Sequence, residues 1–388
     1  MSCCSWRWWT GKKLEVIGVL VAVLAFVVGV PATIGPWRDL WCDTECRAVE
    51  AVYAERNFTI LAKEEYHPRA VEEAELAAFF HSSLKNNRYL IVVGPRGCGK
   101  STLVRAATSG QHGVIHTSFA TGTKLDQAYN LLLAEIGVSD YAVSNEKAVA
   151  KLFCKVQQQK LPNDPTWRPI VVVEFDRGVE DNLIATFTPS LKKLGTDEQA
   201  AHVVLVLSDA NAVFALKPDE GRQHFLWVGD LTVDEANDVL DRFGHLHCHH
   251  ADNATATNCT LRARIFEQLG TRMLDVVAAA AHPNVEAYIQ QRISLAVRHF
   301  EGLTSAETPV GAKFARLVCA LLEDPHHRVP SRVAITFLPS PEEATKYLKA
   351  HHALLFHTPS GTWQFYSVAH LNAAKEWSSS RKCNLTSH

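Results

Sequence analysis

The run Ile91-Val92-Val93-Gly94-Pro95-Arg96-Gly97-Cys98-Gly99-Lys100-Ser101-Thr102-Leu103 constrains this chain more than any other stretch. Gly94, Gly99, Lys100 and Ser101 satisfy the spacing G-x-x-x-x-G-K-[ST]. An apolar, strand-like run from Tyr89 to Val93 precedes the glycines, and a helix-like run from Ser101 to Ala107 follows them. Strand, glycine-rich loop and helix in that order turn backbone N–H groups inward toward phosphate oxygens, and the helix start adds partial positive charge. Gly94, Pro95, Arg96, Gly97, Cys98, Gly99, Lys100, Ser101 and Thr102 are therefore expected to wrap the phosphates of ATP. Lys100 would reach the β- and γ-phosphates, and the Ser101 hydroxyl would sit on Mg²⁺.

Phosphate binding alone is not hydrolysis, which also needs a metal-holding carboxylate at the carboxyl end of a neighbouring strand. The second apolar strand ends in Val173-Glu174-Phe175-Asp176-Arg177. Side chains alternate along a strand, so Glu174 and Asp176 are expected on one side, sharing the metal and base roles. A polar-tipped core strand without such a role is the alternative. The next strand ends in Ser208-Asp209, with Asn211 shortly after, and these residues are candidates for orienting water or sensing the γ-phosphate. Arg222 is a candidate arginine finger toward a neighbouring subunit, and Arg272 a candidate to reach back to the phosphates; solvated surface charges are the plain alternative for both.

Around these motifs the chain alternates short apolar strands with helical runs. Strands are expected at Tyr89–Val93, Gly113–Phe119, Pro169–Phe175, Ala201–Ser208 and His224–Val228. Helices are expected at Ser101–Ala107, Leu125–Ile136, Glu146–Gln158 and Asn182–Lys193. That pattern predicts an α/β fold, a P-loop NTPase parallel sheet with helices on both faces. Thr232-Val233-Asp234-Glu235 reads as a capping box opening a helical lid. Helices followed by a turn at Pro359-Ser360-Gly361 then predict a winged-helix-like module. The expected organisation is a tail (1–15), a transmembrane helix (16–37), a helical connector (38–64), a P-loop core (65–231), a helical lid (232–305), a winged-helix-like domain (306–378) and a tail (379–388).

Val16 to Ile34 is uncharged and about long enough to cross a bilayer, with Trp6, Trp8 and Trp9 before it and Trp37 and Trp41 after it. A membrane anchor is the expectation, with a cleaved signal or transit peptide as its rival. It makes the chain a single-pass protein of the mitochondrial inner membrane or an endomembrane, with the P-loop domain on a nucleotide-rich side. The basic flank with Arg7, Lys12 and Lys13 argues for the opposite topology, and the sequons at Asn57, Asn253, Asn258 and Asn384 do not decide it. At 47% apolar, 21% charged and net charge −2, the chain is built for a sizeable core and carries no polyanion-binding signature. Ten scattered cysteines argue against a disulfide framework and for reduced thiols. The string His245, His247, Cys248, His249, His250 lacks the spaced pairs of a structural zinc site and reads as a loop.

The phosphate loop, an acid-tipped strand, a polar-tipped strand, the phrase Phe225 to Ala236, the helix start at Gly270–Asp275 and the module at the end of the chain follow in one order. That order resembles the AAA+ ATPases, in particular their archaeal-ATPase, STAND and origin-recognition-like branch, over roughly residues 65–375. The resemblance implies ATP with Mg²⁺, Glu174 and Asp176 as the second motif, Ser208 to Asn211 as the first sensor and Arg272 as the lid sensor. It places His67-Pro68-Arg69 near the adenine. The chain departs from the pattern with Glu at 174 and with Phe at 175, where a catalytic acid is expected. The implied function is a slow nucleotide-dependent switch or assembly factor with a protein partner and a possible homo-oligomeric state. The alternatives are a non-hydrolysing nucleotide-bound scaffold, or nucleic-acid binding through the winged-helix-like module.

Overall fold

The computed structural model describes Val52 and residues 66–81, 88–138, 146–158, 167–216, 221–243, 246, 248, 253–305, 309–337, 347, 352–380 and 383. After α1 (Ala70–Phe80) come β1 (Tyr89–Val93), α2 (Lys100–Thr108), β2 (Val114–Phe119), α3 (Leu125–Ala134), α4 (Glu146–Gln158) and β3 (Ile170–Phe175). Then follow α5 (Asp181–Lys192), β4 (His202–Leu207) and β5 (Gln223–Trp227). The five strands form one parallel sheet in the order β2-β3-β4-β1-β5.

That order determines where the helices lie. The chain leaves β1, crosses to the far edge at β2, and returns strand by strand before passing over β1 to β5. Crossovers between parallel strands are right-handed, so reversing direction puts α2 on the face opposite α3, α4 and α5. Residue parity along the strands follows. Leu90, Val92, Val172, Val204 and Val206 pack with Leu76 and Phe79 of α1 and Leu103 of α2. Ile91, Val93, Val171, Val173, Phe175 and Leu205 pack beneath α3, α4 and α5 with Phe119 and Phe187. Both faces of the central strands are covered, so β1, β3 and β4 read as nearly unbroken apolar runs, while the edge strands β2 and β5 carry polar residues. The reversal at β1 is the switch point where ligands bind in open α/β sheets, and the glycine-rich loop emerges there.

The rest of the chain builds α6 (Val233–Phe243), α7 (Asn253–Gln268), α8 (Met273–Ala281), α9 (Val285–Leu303) and α10 (Pro309–Glu323). They are followed by β6 (Arg328–Pro330), α11 (Ser331–Phe337), β7 (Leu354–His357), β8 (Thr362–Phe365) and α12 (Val368–Ser380). The capping box at the start of α6 is present: Glu235 N donates to Thr232 Oγ1 (3.2 Å), and Thr232 N donates to Glu235 Oε2 (2.8 Å). Strands β6, β8 and β7 form a small antiparallel sheet. From Leu231 to Ala374 the helices and this sheet share one continuous apolar core, with Leu240, Ile265, Val276, Phe300, Phe314, Trp363 and Ala373 among its members.

Two expectations are corrected. The single-pass membrane localisation is withdrawn: among the described residues no helix is long and apolar enough to cross a membrane. The segment 16–37 and nearly all of the connector 38–64 lie outside the described residues. Reduced thiols throughout are also overturned, because Cys248 is bonded to Cys259 and Cys319 to Cys383. The second pair is 64 residues apart in sequence, a separation at which spacing gives no signal. Cys98 and Cys154 are buried and take no part in a disulfide.

Candidate functional site

The loop leaving β1 is shaped by what presses on it. A Cβ at Gly94 would lie 2.0 Å from the Val228 carbonyl oxygen, so β1 and the residue after β5 meet only because position 94 has no side chain. Gly97 has φ +79, and a Cβ there would meet Leu274 Cβ at 2.5 Å. Leu274 N donates to Gly97 O at 2.9 Å, so the start of α8 docks directly on the loop. Arg69, buried before α1, donates to Cys98 O (3.1 Å) and Gly229 O (2.9 Å). The segment placed by resemblance near the adenine thus ties the loop to the turn after β5.

Inside the loop, the buried Lys100 ammonium donates to Pro95 O (2.7 Å) and Gly94 O (3.1 Å) and approaches Ser208 O (3.4 Å). The Ser101 hydroxyl donates to Glu174 Oε1 in a close contact. Parity explains the meeting: Glu174 lies on the α2 face with Val172, while Ser101 and Arg105, one helical turn apart on α2, both turn toward it. Arg105 Nη2 stands 3.4 Å from Glu174 Oε2, and His116 Nε2 from β2 stands 3.7 Å from the same oxygen. Burial, with the Arg105 charge adding to it, pushes the His116 imidazole down to about 4. At neutral pH His116 is uncharged, its contact with Glu174 is not an ion pair, and Arg105 is the cation facing the carboxylate. A hydroxyl and a carboxylate side by side next to a loop lysine supply the hard oxygen donors that suit Mg²⁺ on a nucleotide's phosphates.

The other expected residues are placed elsewhere. Asp176 lies beyond the end of β3, is exposed, and does not join Ser101 and Glu174. Phe175 lies on the opposite face, fully buried edge-on to Phe119 at 5.6 Å. Asn211 faces the small antiparallel sheet: its amide donates to Leu354 O (3.1 Å) and accepts from Phe356 N (2.9 Å). Arg222 precedes β5 and so sits at the amino ends of the parallel strands, a strand length from the phosphate loop, paired with Asp197 at 2.6 Å. Arg272, at the N-cap of α8, is buried against Asp230 (2.9 Å), donates to Tyr366 O and lies 4.8 Å from the centre of the Tyr366 ring.

Tyr366 is the residue that sequence reasoning missed, because its aromatic ring next to Phe365 reads as hairpin packing. Its hydroxyl accepts from Arg96 N of the phosphate loop at 3.2 Å, and burial pushes that hydroxyl up to about 12. His352 adds a nearby link, with Nε2 2.7 Å from Arg177 and Nδ1 3.6 Å from Asp209. The histidine string around Cys248 lies outside the described residues apart from the cysteine, and no cluster of three or more His, Cys, Asp or Glu side chains able to hold a metal occurs among the described residues.

No family model matches the sequence, and no curated protein matches it. Similar solved structures include a Pyrococcus horikoshii STAND protein with a tetratricopeptide repeat sensor, at 11% identity and TM-score 0.36; it covers 83% of this chain, which spans only 43% of that one. The Aeropyrum pernix ORC1 protein solved in complex with DNA shares 14% identity at TM-score 0.38, covering 82% of this chain and 95% of its own. A chain of Drosophila ORC bound to DNA shares 15% identity at TM-score 0.36, covering 89% of this chain and 94% of its own. At these scores and identities they are likenesses and do not by themselves assign the chain to a family.

Proposed function

We propose that this chain is a Mg²⁺- and ATP-binding P-loop ATPase, similar to the AAA+, STAND and origin-recognition-like proteins, that acts as a slow nucleotide-dependent switch. One observation carries the reading: Ser101 and Glu174 meet at the switch point of a parallel sheet, one residue from a buried loop lysine. Gly94–Thr102 would hold the phosphates, Lys100 would turn from the loop carbonyls to the β- and γ-phosphates, and Ser101 with Glu174 would hold Mg²⁺. The bound metal would neutralise phosphate charge; the chain's own part is to hold and orient the phosphates.

Slowness follows from Phe175, which fills with apolar core the position where the family carries a catalytic acid. The switch reading rests on contacts to the phosphate loop from far along the chain. Leu274 holds Gly97, and Tyr366 holds Arg96. We read residues 306–378 as winged-helix-like and residues 232–305 as a lid. Because the two share a core, a phosphate that reshapes the loop would move them together against a protein partner.

Steady-state phosphate release and nucleotide binding by the full chain test this. ATP binding is expected to be lost in Lys100→Ala, and turnover in Glu174→Gln. Unchanged ATP affinity in Lys100→Ala would sink the assignment. Tight binding with no turnover in the wild type would favour the second reading, a nucleotide-held scaffold, which the burial of Phe175 and the exposure of Asp176 support. Salt-sensitive DNA binding by the full chain would favour the nucleic-acid alternative.

A further inference from the structure

A cavity of about 330 Å³ opens where the phosphate loop, the end of β5 and the small antiparallel sheet meet. Its volume is that of a small-molecule site, roughly 300–1,000 Å³. Pro95 is the phosphate loop's contribution to its wall, and Lys100, Ser101 and Glu174 take no part in it. The cavity thus excludes the Lys100, Ser101 and Glu174 cluster, while sharing Pro95 and Arg272 with the candidate nucleotide residues.

Its polar lining is lopsided. Arg272, Arg328, His326, His327 and His357 face it with one carboxylate, Asp230. That carboxylate is already engaged by Arg272 at 2.9 Å. Arg328 forms no ion pair among the described residues, so its charge has no compensating partner there. His357 is held with Nδ1 2.6 Å from Ser360 Oγ, and its ring stands edge-on to Trp227 at 4.5 Å. His327 is held by Leu321 O at 3.0 Å from Nδ1. The imidazoles are thus oriented by neighbours. Trp227 and Tyr366 supply the apolar walls.

Uncompensated positive charge in a concave, partly apolar cleft concentrates small anions, and a guanidinium fork matches phosphate oxygens two at a time. A cation is excluded by the same charge. We infer that this cavity is a second anion site that binds a small phosphate anion of the pyrophosphate class, gripped by Arg328 and by the imidazole of His357. Tyr366 lines the cavity and also accepts from Arg96 N, so an occupant touches the residue that holds the phosphate loop.

Calorimetric titration of the full chain with pyrophosphate tests the site. Binding is expected to persist in Lys100→Ala and in wild-type protein saturated with a non-hydrolysable ATP analogue. It is expected to weaken at least about tenfold in Arg328→Gln, the loss of one charged hydrogen-bonding partner, and to weaken in His357→Phe. Arg328 is exposed, so its replacement leaves the fold intact. Loss of pyrophosphate binding in the analogue-saturated protein would overturn the proposal, because the anion would then be seated on the phosphate loop itself. Unaltered binding in both Arg328→Gln and His357→Phe would overturn it equally. Should Lys100→Ala fail to fold, the analogue-saturated arm decides. ATP binding measured on the wild type and on Lys100→Ala reports separately on the nucleotide reading.

Discussion

Asn211 does the work of a strand neighbour with one side chain. It is fully buried, satisfies a donor and an acceptor of β7, and is itself fixed by Asp209 Oδ1, which accepts from Asn211 N at 2.8 Å. Alanine there would leave Leu354 O without a partner where water is shut out, at about 1–3 kcal/mol, and Phe356 N without one at a half-buried position, at about 1 kcal/mol. Asn211→Ala is expected to lower the unfolding free energy by roughly 2–4 kcal/mol, read from urea midpoints. A wild-type midpoint in that variant would show that the joint to β7 does not depend on this amide. Tyr366→Phe is the complementary test. It keeps the ring beside Arg272 and removes only the acceptor for Arg96 N, so stability should fall by no more than about 1.5 kcal/mol. Release of a fluorescent ADP, followed by stopped flow, should become faster. An unchanged release rate would mean that Tyr366 does not restrain the loop.

Among the elements, β3 decides the chemistry through parity. Even positions face α2 and odd positions face α3 to α5, so Glu174 meets Ser101 while Phe175 enters the core beside Phe119. Placing an acid at position 175 would not repair a catalytic site. Phe175→Glu would bury an unpaired carboxylate among aromatic rings, costing roughly 3–5 kcal/mol, and should not raise phosphate release. A stable Phe175→Glu variant with faster turnover would show that this position faces the nucleotide after all. The same parity explains what the sequence made legible. Tyr89–Val93 and Glu146–Gln158 match their elements end to end, because hydrophobic period and helix amphipathicity are local properties. Ser101 and Glu174 could be paired because a loop of fixed motif spacing and a strand end both point to the switch point of the sheet. Asn211, Arg272 and Tyr366 have partners 42 to 270 residues away along the chain, a separation that local pattern does not report. Asp176 stands apart from Ser101 and Glu174 because β3 stops one residue short of it.

Across the whole molecule, a two-faced sheet is joined at its carboxyl edge to a second unit with its own core, and buried histidines lie in both parts. His202 starts β4 against Phe79 and Phe80, with ring centres 5.7 and 6.5 Å away. Burial, helped by the charges of Arg168 and His81, pushes it from 6.5 down to about 4. His116 beside Glu174 is pushed equally far. His370 on α12, 3.2 Å from His299 of α9, is also driven down, first by burial and then by His299, Arg272, Arg292 and His352. The sign of the linkage follows from where the protons go. Between about 4 and 6.5 the unfolded chain takes protons that folded His202 and His116 refuse, so acidification favours unfolding. Stability is expected to be level above pH 7 as far as these groups are concerned, and to fall as pH drops from 6.5 toward 4. His202→Phe keeps a ring against Phe79 and Phe80 but cannot take a proton. Its urea midpoint should therefore decline less steeply than the wild type over that interval, with the two curves closest near pH 7. Parallel curves would show that His202 accepts a proton without leaving its place against the two rings, and the acid sensitivity would then belong to the His299–His370 contact and to His116.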